Sequence, residues 1–475
     1  MEQQIYLMYS DWYLLITLAL SAAILLLLGR RMLWAKADDS AVKHKLQPGS
    51  TGLPFIGETI SLYRTANSSR RRKFFEEHEL RAKAVVSLDP EFNKYIMQNE
   101  RRLFQFRMPA STRDLLGKYC LLEVHGELQK TIHASVVKLF RYDRLSSDFM
   151  EDIQNVLLAE MSKWEDQRHI ALQYKCSEIG LKLMGKMLLD LPYSEEMNDI
   201  YKAFHDFTAA ILFLPLNVPG TTYYRGIQAR RFLLKKIYGY LEERREHPEG
   251  IHNDLLSKLL RDQNTFSDEI IADTLLFVLL AGYETSSSDM AFAIKFVTEN
   301  PNALKELTDE HDSIIKSKGT GKVKLTWDDY QSMKFTHCVI NETLRLASAA
   351  TISFRETMQD VEVRGFLIPK GWTVIHLPSS IHLDEKYYYD ADKFHPWRWQ
   401  NEELFDKPFY MPFGGGIRLC PGLHLGKFEI ALFLHYFLTK FRWEPLGVYQ
   451  VKYFPQPHIA KGFPIRLYPR LKSEE

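Results

Sequence analysis

Phe413-Gly414-Gly415-Gly416-Ile417-Arg418-Leu419-Cys420-Pro421-Gly422 decides how this chain is read. A cysteine ends a glycine-rich loop just where an apolar helical pattern begins, with Leu423, Leu425, Phe428, Ile430, Ala431 and Leu434. A thiolate placed there lies near the positive end of a helix dipole, among backbone N–H groups that can bond sulfur. The glycines let the backbone turn tightly and come close to a flat ligand. Arg418, two residues before the sulfur, can meet a carboxylate of the same ligand. An iron porphyrin with propionates and an axial thiolate satisfies all of these demands together. A lone cysteine in a turn is more often a buried structural thiol, so the inference rests on the whole string.

Working outward, the chain has 475 residues, 45% hydrophobic and 13% aromatic, ample for a large core. Lysine and arginine (61) balance aspartate and glutamate (60), so bulk charge gives no case for a nucleic-acid partner. The four cysteines, Cys120, Cys176, Cys338 and Cys420, are scattered, with neither a CxxC pair nor zinc spacing. A disulfide framework is not expected, and a reducing, cytosolic setting fits better.

The N-terminus points to a membrane. Trp12 to Leu28 is an uncharged apolar run, near the lower limit of about 17 residues for a spanning helix. Glu2 and Asp11 precede it, and Arg30, Arg31 and Lys36 follow it. The basic flank predicts a lumenal segment 1–11, an anchor 12–28, a basic linker with a Pro/Gly hinge over 29–57, and a cytosolic domain 58–475. Ala35-Lys36-Ala37 mimics a signal-peptidase site, but acids in the n-region argue against cleavage.

Periodicity predicts helices over Arg70–Leu80, Glu127–Phe140, Asp152–Trp164, Ile227–Arg245, Asp268–Thr298, Pro301–Lys318 and Trp327–Ala347. Between Glu356 and Ser379 the pattern changes, and Val361–Val363 and Trp372–Ile375 read as strands around Ile368-Pro369-Lys370-Gly371. The expected fold is mainly α with a small β region. In the helix from Asp268, the almost wholly apolar run Ile270–Leu280 predicts burial. Ala281-Gly282-Tyr283-Glu284-Thr285 then interrupts it with polar groups. Thr285 can bond back to the carbonyl of residue 281 and loosen the ladder. Two small residues beside an acid and a hydroxyl leave space for dioxygen and a proton route. Taken alone, the same five residues are also a helix kink with a satisfied glutamate.

The cysteine string resembles the haem-binding loop of the cytochrome P-450 family of monooxygenases, and the resemblance covers nearly everything after Pro48. It implies haem b with Cys420 as metal ligand, a cradle including Phe413, Gly414 and Arg418, and a distal wall at Ala281 and Gly282. Thr285 and Glu284 become the oxygen-activating pair. Glu342 and Arg345, at i and i+3, join Arg398 in a buried triad behind the loop, a supporting and not a chemical role. Arg355 matches a position that pairs with a haem propionate. The other propionate partner in the family is an aromatic or His followed by Arg four residues later; here the positions hold Gln129 and His133, which makes His133 the expected contact. The resemblance also implies NADPH-derived electrons supplied by a NADPH-cytochrome P-450 reductase and an endoplasmic-reticulum membrane location.

One departure stands out: after Phe74–Leu80 the chain runs straight to Ala84–Leu88, so a strand normal in the family is missing around Arg81–Lys83, which predicts an unpaired edge. Pro215–Thr221 with Tyr224-Arg225-Gly226 is similar to plant steroid and terpenoid hydroxylases, especially the brassinosteroid branch. The expected substrate is accordingly a plant sterol, hydroxylated on the side chain near C-22, with a triterpenoid or other terpenoid as the alternative. A peroxide isomerase or dehydratase on the same fold, or an impaired haem-binding variant, are the remaining readings; Thr285 counts against the isomerase.

Overall fold

The computed structural model describes residues 84–470, apart from 192–195, 214, 249–252, 262–265, 320–323, 350 and 454–455. The anchor, the hinge, the helix expected over Arg70–Leu80 and the shortened segment Arg81–Lys83 lie outside the described residues. The helices are α1 (Pro90–Gln98), α2 (Ala110–Leu116), α3 (Gly126–Leu139), α4 (Met150–Ser162), α5 (Leu172–Leu189), α6 (Glu196–Ala210), α7 (Thr222–Glu246), α8 (Leu255–Arg261), α9 (Asp268–Thr298), α10 (Pro301–Lys318), α11 (Trp327–Ser332), α12 (Lys334–Ala347), α13 (Pro378–His382) and α14 (Leu423–Lys440). The strands are short: β1 (Ala84–Ser87), β2 (Phe104–Phe106), β3 (His169–Ala171), β4 (Ser353–Thr357), β5 (Val361–Val363), β6 (Phe366–Ile368), β7 (Thr373–His376), β8 (Phe441–Pro445), β9 (Val451–Lys452), β10 (His458–Ile459) and β11 (Pro464–Pro469).

The long central helix α9 starts where its cap requires. The Ser267 side chain accepts from the Ile270 amide at 3.4 Å, and Asp268 and Glu269 fill the first turn, a cap worth about 1 kcal/mol. It is apolar on nearly every face and packs along α5, α7, α12 and α14. Among the described helices it alone is long and apolar enough to cross a membrane, but 67% of its most apolar stretch is buried inside the molecule, so it is the core helix of the fold.

The helix expected over Trp327–Ala347 is broken. Met333, at φ −74° and ψ 62°, separates α11 from α12. A carboxylate on a third helix explains the break: Glu310 of α10 accepts from the Phe335 amide at 2.7 Å and the Thr336 amide at 2.9 Å. These are first-turn donors of α12, left without intrahelical partners at any helix start.

The β region is also wired differently from the local reading. Val361–Val363 pairs with β6, not with the strand at residue 373. Arg355 lies inside β4, where it was expected just ahead of a strand pair. The larger sheet runs β1-β7-β4-β2, with β1 parallel to β7 and the other pairs antiparallel. β1 is thus the end strand of this sheet among the described residues.

Candidate active site

The loop and α14 meet at Cys420. Its amide donates to the Phe413 carbonyl at 3.0 Å, closing the loop, and Gly422 caps α14 two residues later. Glycine is required at one place above all: Gly416 has φ 62°, and a Cβ there would come within 2.4 Å of the Met97 carbonyl of α1. Gly414, at φ 70°, serves the turn and has no near neighbour to avoid. Burial pushes the Cys420 thiol up, opposed by the Gly422 backbone N–H. A metal that binds the thiolate displaces the thiol proton.

Cys420 opens into a cavity of about 1040 Å³ of empty space between α9 and the cysteine loop. Its walls are chiefly apolar, with Leu121, Val136, Phe277, Ala281, Leu344 and Phe413 among them. Cys120, Cys176 and Cys338 are buried and line none of it. Gly282 lines the cavity for a further reason not foreseen in the sequence: a Cβ would approach the Met184 methyl of α5 to 2.4 Å. Thr285 also lines it, and its hydroxyl donates to the Ala281 carbonyl at 2.7 Å, the back-bond expected from its position.

Glu284 is placed otherwise. It is not among the cavity-lining residues. Burial raises its pKa, opposed by the Tyr283 hydroxyl and by His205 of α6. Two acids that drew no attention in the sequence do line the cavity: Asp289 of α9 and Glu429 of α14. The available signal was an acid followed at once by an apolar run, Met290–Ile294 after Asp289 and Ile430–Phe433 after Glu429.

Behind the loop, Glu342 is fully buried and fully bonded. Its carboxylate accepts from Arg345 Nε (2.9 Å) and Nη2 (2.7 Å), Arg398 Nε (3.1 Å), the His395 amide (2.9 Å) and Trp399 Nε1 (2.8 Å). Arg345 spends its remaining donors on the carbonyls of His382, Ala391 and Lys393. Burial alone would raise the Glu342 pKa, but the arginines and the amide hold it below the usual carboxylate range. The three side chains expected together are together, and Trp399 joins them.

The cationic end is tied by a residue the sequence reading did not single out. Glu100 Oε1 meets Arg418 Nε at 2.6 Å, and Oε2 lies 2.8 Å from Arg355 Nε. Arg418 also donates to the carbonyls of Leu121, Leu122 and Val124. Arg355 is 4% exposed and does not line the cavity, whereas Arg418, Gln129 and His133 do. His133 Nε2 lies 2.8 Å from the Leu419 carbonyl. Next to this cluster Arg101 holds a left-handed backbone (φ 71°) and donates to Gly126 O at 2.9 Å and to Gln129 Oε1.

The donor set fits a haem. One thiol faces a broad apolar slot, small residues flank it at Gly282, Gly422 and Gly426, and a guanidinium stands at one margin.

Comparison with known proteins agrees with this geometry. Residues 48–463 match the family described as cytochrome P450. The chain is 52% identical to cytochrome P450 720B2 of Pinus taeda, over 96% of this chain and 97% of that protein. It is 50% identical to the abietadienol/abietadienal oxidase of Pinus taeda, over 90% and 91%. A cholesterol 22-hydroxylase of Paris polyphylla matches at 36%, over 90% and 93%. A solved structure, retinoic acid bound cyanobacterial CYP120A1, superposes with a TM-score of 0.81 at 23% identity, covering 90% of this chain and all of that one, which speaks for the fold. Members of this family bind haem through a cysteine thiolate and take their electrons from a reductase. The chain belongs to the cytochrome P450 family.

Proposed function

We propose that this chain is a haem monooxygenase acting on a polycyclic diterpenoid, with Cys420 as the iron ligand. The observation that carries the site is that Cys420, alone among the four cysteines, opens into the large apolar cavity beside Thr285. The substrate class is supported by the 50% identity to a protein named abietadienol/abietadienal oxidase, against 36% for a sterol hydroxylase. A diterpenoid therefore replaces the expected sterol as the first substrate to test, and the sterol side chain becomes the second.

The bound haem supplies oxygen activation and one-electron chemistry. The residues of the chain do the rest. Gly282 and Ala281 keep the wall beside Thr285 low, the apolar lining orients a fused-ring hydrocarbon, and Arg418 and His133 line the margin that would meet the haem carboxylates, with Arg355 behind them on Glu100. Thr285 holds a hydroxyl in the cavity, and Glu284 is the acid beside it in sequence. The apolar run at 12–28 anchors the domain in the endoplasmic-reticulum membrane, with the site on the cytosolic side.

The test is reconstitution with a flavoprotein reductase and NADPH. The wild type should show the thiolate-type absorption of the ferrous carbon-monoxide complex, lost in Cys420→Ser, and should convert abietadienol to a more oxidised product. An unchanged band in the serine variant sinks the ligand assignment. Turnover of campesterol or cholesterol but not of abietadienol sinks the substrate assignment.

A further inference from the structure

Glu100 takes Arg418 and Arg355 on its two oxygens, so those three side chains carry one net positive charge between them. The ions around them cancel in pairs: Arg107 with Glu356, Arg113 with Glu123, and Lys130 with Glu127. His125, which contacts Arg418, has its pKa lowered by burial and by that arginine, so it adds no charge near neutral pH. A haem brings two carboxylates to this margin, and a single net charge does not balance them. Arg101, next along the chain from Glu100, forms no ion pair among the described residues and supplies the second.

Its guanidinium is built in. Nη2 donates to the Gly126 carbonyl at 2.9 Å and to Gln129 Oε1, while the buried Nε has no hydrogen-bond partner. The backbone is left-handed at φ 71°, and the Arg101 amide donates to the Phe104 carbonyl at 2.7 Å. A long side chain persists in that region only where its surroundings fix it, and strain of this kind gathers at functional sites.

A guanidinium has donors and no acceptor, so Gln129 must offer it the carbonyl end of its amide. That assigns the NH₂ end of Gln129 to the other side. Gln129 is 1% exposed, lines the cavity, and sends Nε2 to the Ile417 carbonyl of the cysteine loop at 3.4 Å. This long bond occupies one of two amide protons, and the second remains for an acceptor at the cavity margin. An amide whose oxygen is held by a cation is also a stronger donor.

One turn along α3, His133 is engaged elsewhere. A carbonyl only accepts, so His133 Nε2 donates to Leu419 O at 2.8 Å, and Nδ1 of the neutral ring is then an acceptor. Neutral His133 has no proton left for a carboxylate.

We propose that Gln129 and Arg101 form one composite anchor for a haem carboxylate. Gln129 donates through Nε2; Arg101 behind it fixes the direction of the amide and supplies the charge. The inference rests on the haem reading and deepens it. Arg101 does not line the cavity and acts through Gln129, so it is a positioning residue. A plain structural tie between the turn at Arg101 and α3 would make the same two bonds, and the test separates the roles.

That test measures haem transfer from purified holoenzyme to excess apomyoglobin, with the iron midpoint potential as a second readout. Arg101→Gln keeps a side chain on the left-handed backbone, so the strain is common to both proteins and only the cation is lost. It should release haem about 10-fold faster, the scale of one charge-assisted hydrogen bond. Its potential should fall, since losing a nearby cation favours the ferric state. Arg101→Lys, with the charge but not the fork, should recover part of both effects. Gln129→Glu keeps the tie to Arg101 but sets an acceptor against the haem carboxylate, and should lose haem faster still. Combining Arg101→Gln with His133→Arg returns a guanidinium to the cavity margin and should slow the loss again.

Haem held by Gln129→Glu as firmly as by the wild type overturns the proposal, because a structural tie alone predicts that result. An unchanged rate in Arg101→Gln overturns it too. If neither single variant accumulates as holoenzyme, the Arg101→Gln, His133→Arg double variant decides: recovered holoenzyme supports the anchor, and none overturns it. A wild type that binds no haem would fail the haem reading itself, whereas haem held equally by wild type and variants fails this inference alone.

Discussion

Glu342 and Glu429 are both buried glutamates on helices that pack against each other, α12 and α14, and the protein treats them in opposite ways. Glu342 receives five hydrogen bonds from two arginines, an amide and an indole, and its pKa is held below the usual range. Glu429 has a single serine beside it, an orphaned Oε1, and a pKa pushed up to about 8. Saturating a buried charge with donors fixes it as architecture. Leaving a buried acid nearly bare keeps a proton on it, and a proton that is held can be handed on. The comparison separates scaffold from chemistry without reference to sequence position, and it places Asp289 with Glu429.

The most damaging way to test this contrast is Glu342→Ala. It strands Arg345, which is fully buried, and removes the partner of Arg398 and Trp399. Breaking such a pair should cost about 3–5 kcal/mol. The expected outcome is little or no soluble holoprotein, checked by haem-to-protein ratio and urea midpoint. A variant with near-normal yield would show the cluster to be dispensable.

Glu429→Gln should go the other way. Its folded pKa lies above the unfolded value, so the wild type binds more protons when native between about 4.5 and about 8. Its stability thus declines as pH rises through that window, and the penalty is complete above the folded pKa. The glutamine variant lacks the decline. Above pH 8 it should be the more stable protein by at least about 1.4 kcal/mol, the equivalent of one pK unit. Parallel melting curves across pH would remove Glu429 from the unsatisfied class.

The smallest effect sharpens the comparison from the cationic side. Arg101 spends its guanidinium on Gly126 and Gln129 while its backbone sits at φ 71°. Arg101→Gly relieves a left-handed conformation that costs an L-residue about 1–2 kcal/mol, less the bonds it loses. A net gain of about 1 kcal/mol, read as a higher melting temperature, is expected. A loss would mean that those hydrogen bonds outweigh the strain.

Much of the scaffold was legible because it is local. Ser267 before Asp268, and Asn300 before Pro301, mark helix starts by capping chemistry, and both helices run to the bounds expected, Thr298 and Lys318. The break at Met333 was not legible, because Glu310 makes it from another helix. β4 was missed for the same reason: Arg355 stands in a strand defined by partners at Phe106 and Val374, remote in sequence.

In the site, the cysteine loop and Thr285 could be read from spacing. Glu100 could not, since nothing near it in sequence shows that two arginines from residues 355 and 418 converge on it. Asp289 follows three serines and reads as part of a polar face. The packing of α5, α12 and α14 around α9 is what encloses this stretch, and no local pattern shows it. Glu284 drew attention as an acid interrupting an apolar helix beside Thr285, yet it does not line the cavity. The resemblance carried the branch to sterols, whereas the 50% and 52% relatives are conifer proteins, one of them named for a diterpenoid.

The Glu342 cluster also has a kinetic meaning. Its donors come from residues 345, 395, 398 and 399, so it closes only when chain more than fifty positions away in sequence has arrived. Contacts of that separation bear the entropy of a long loop before they return any energy. Such contacts form late in folding. The segment that closes on Glu342 precedes the cysteine loop by little more than a dozen residues, so the cluster fixes the chain just ahead of the loop. Haem uptake is then expected to follow this closure, and refolding followed with and without haem would show whether it does.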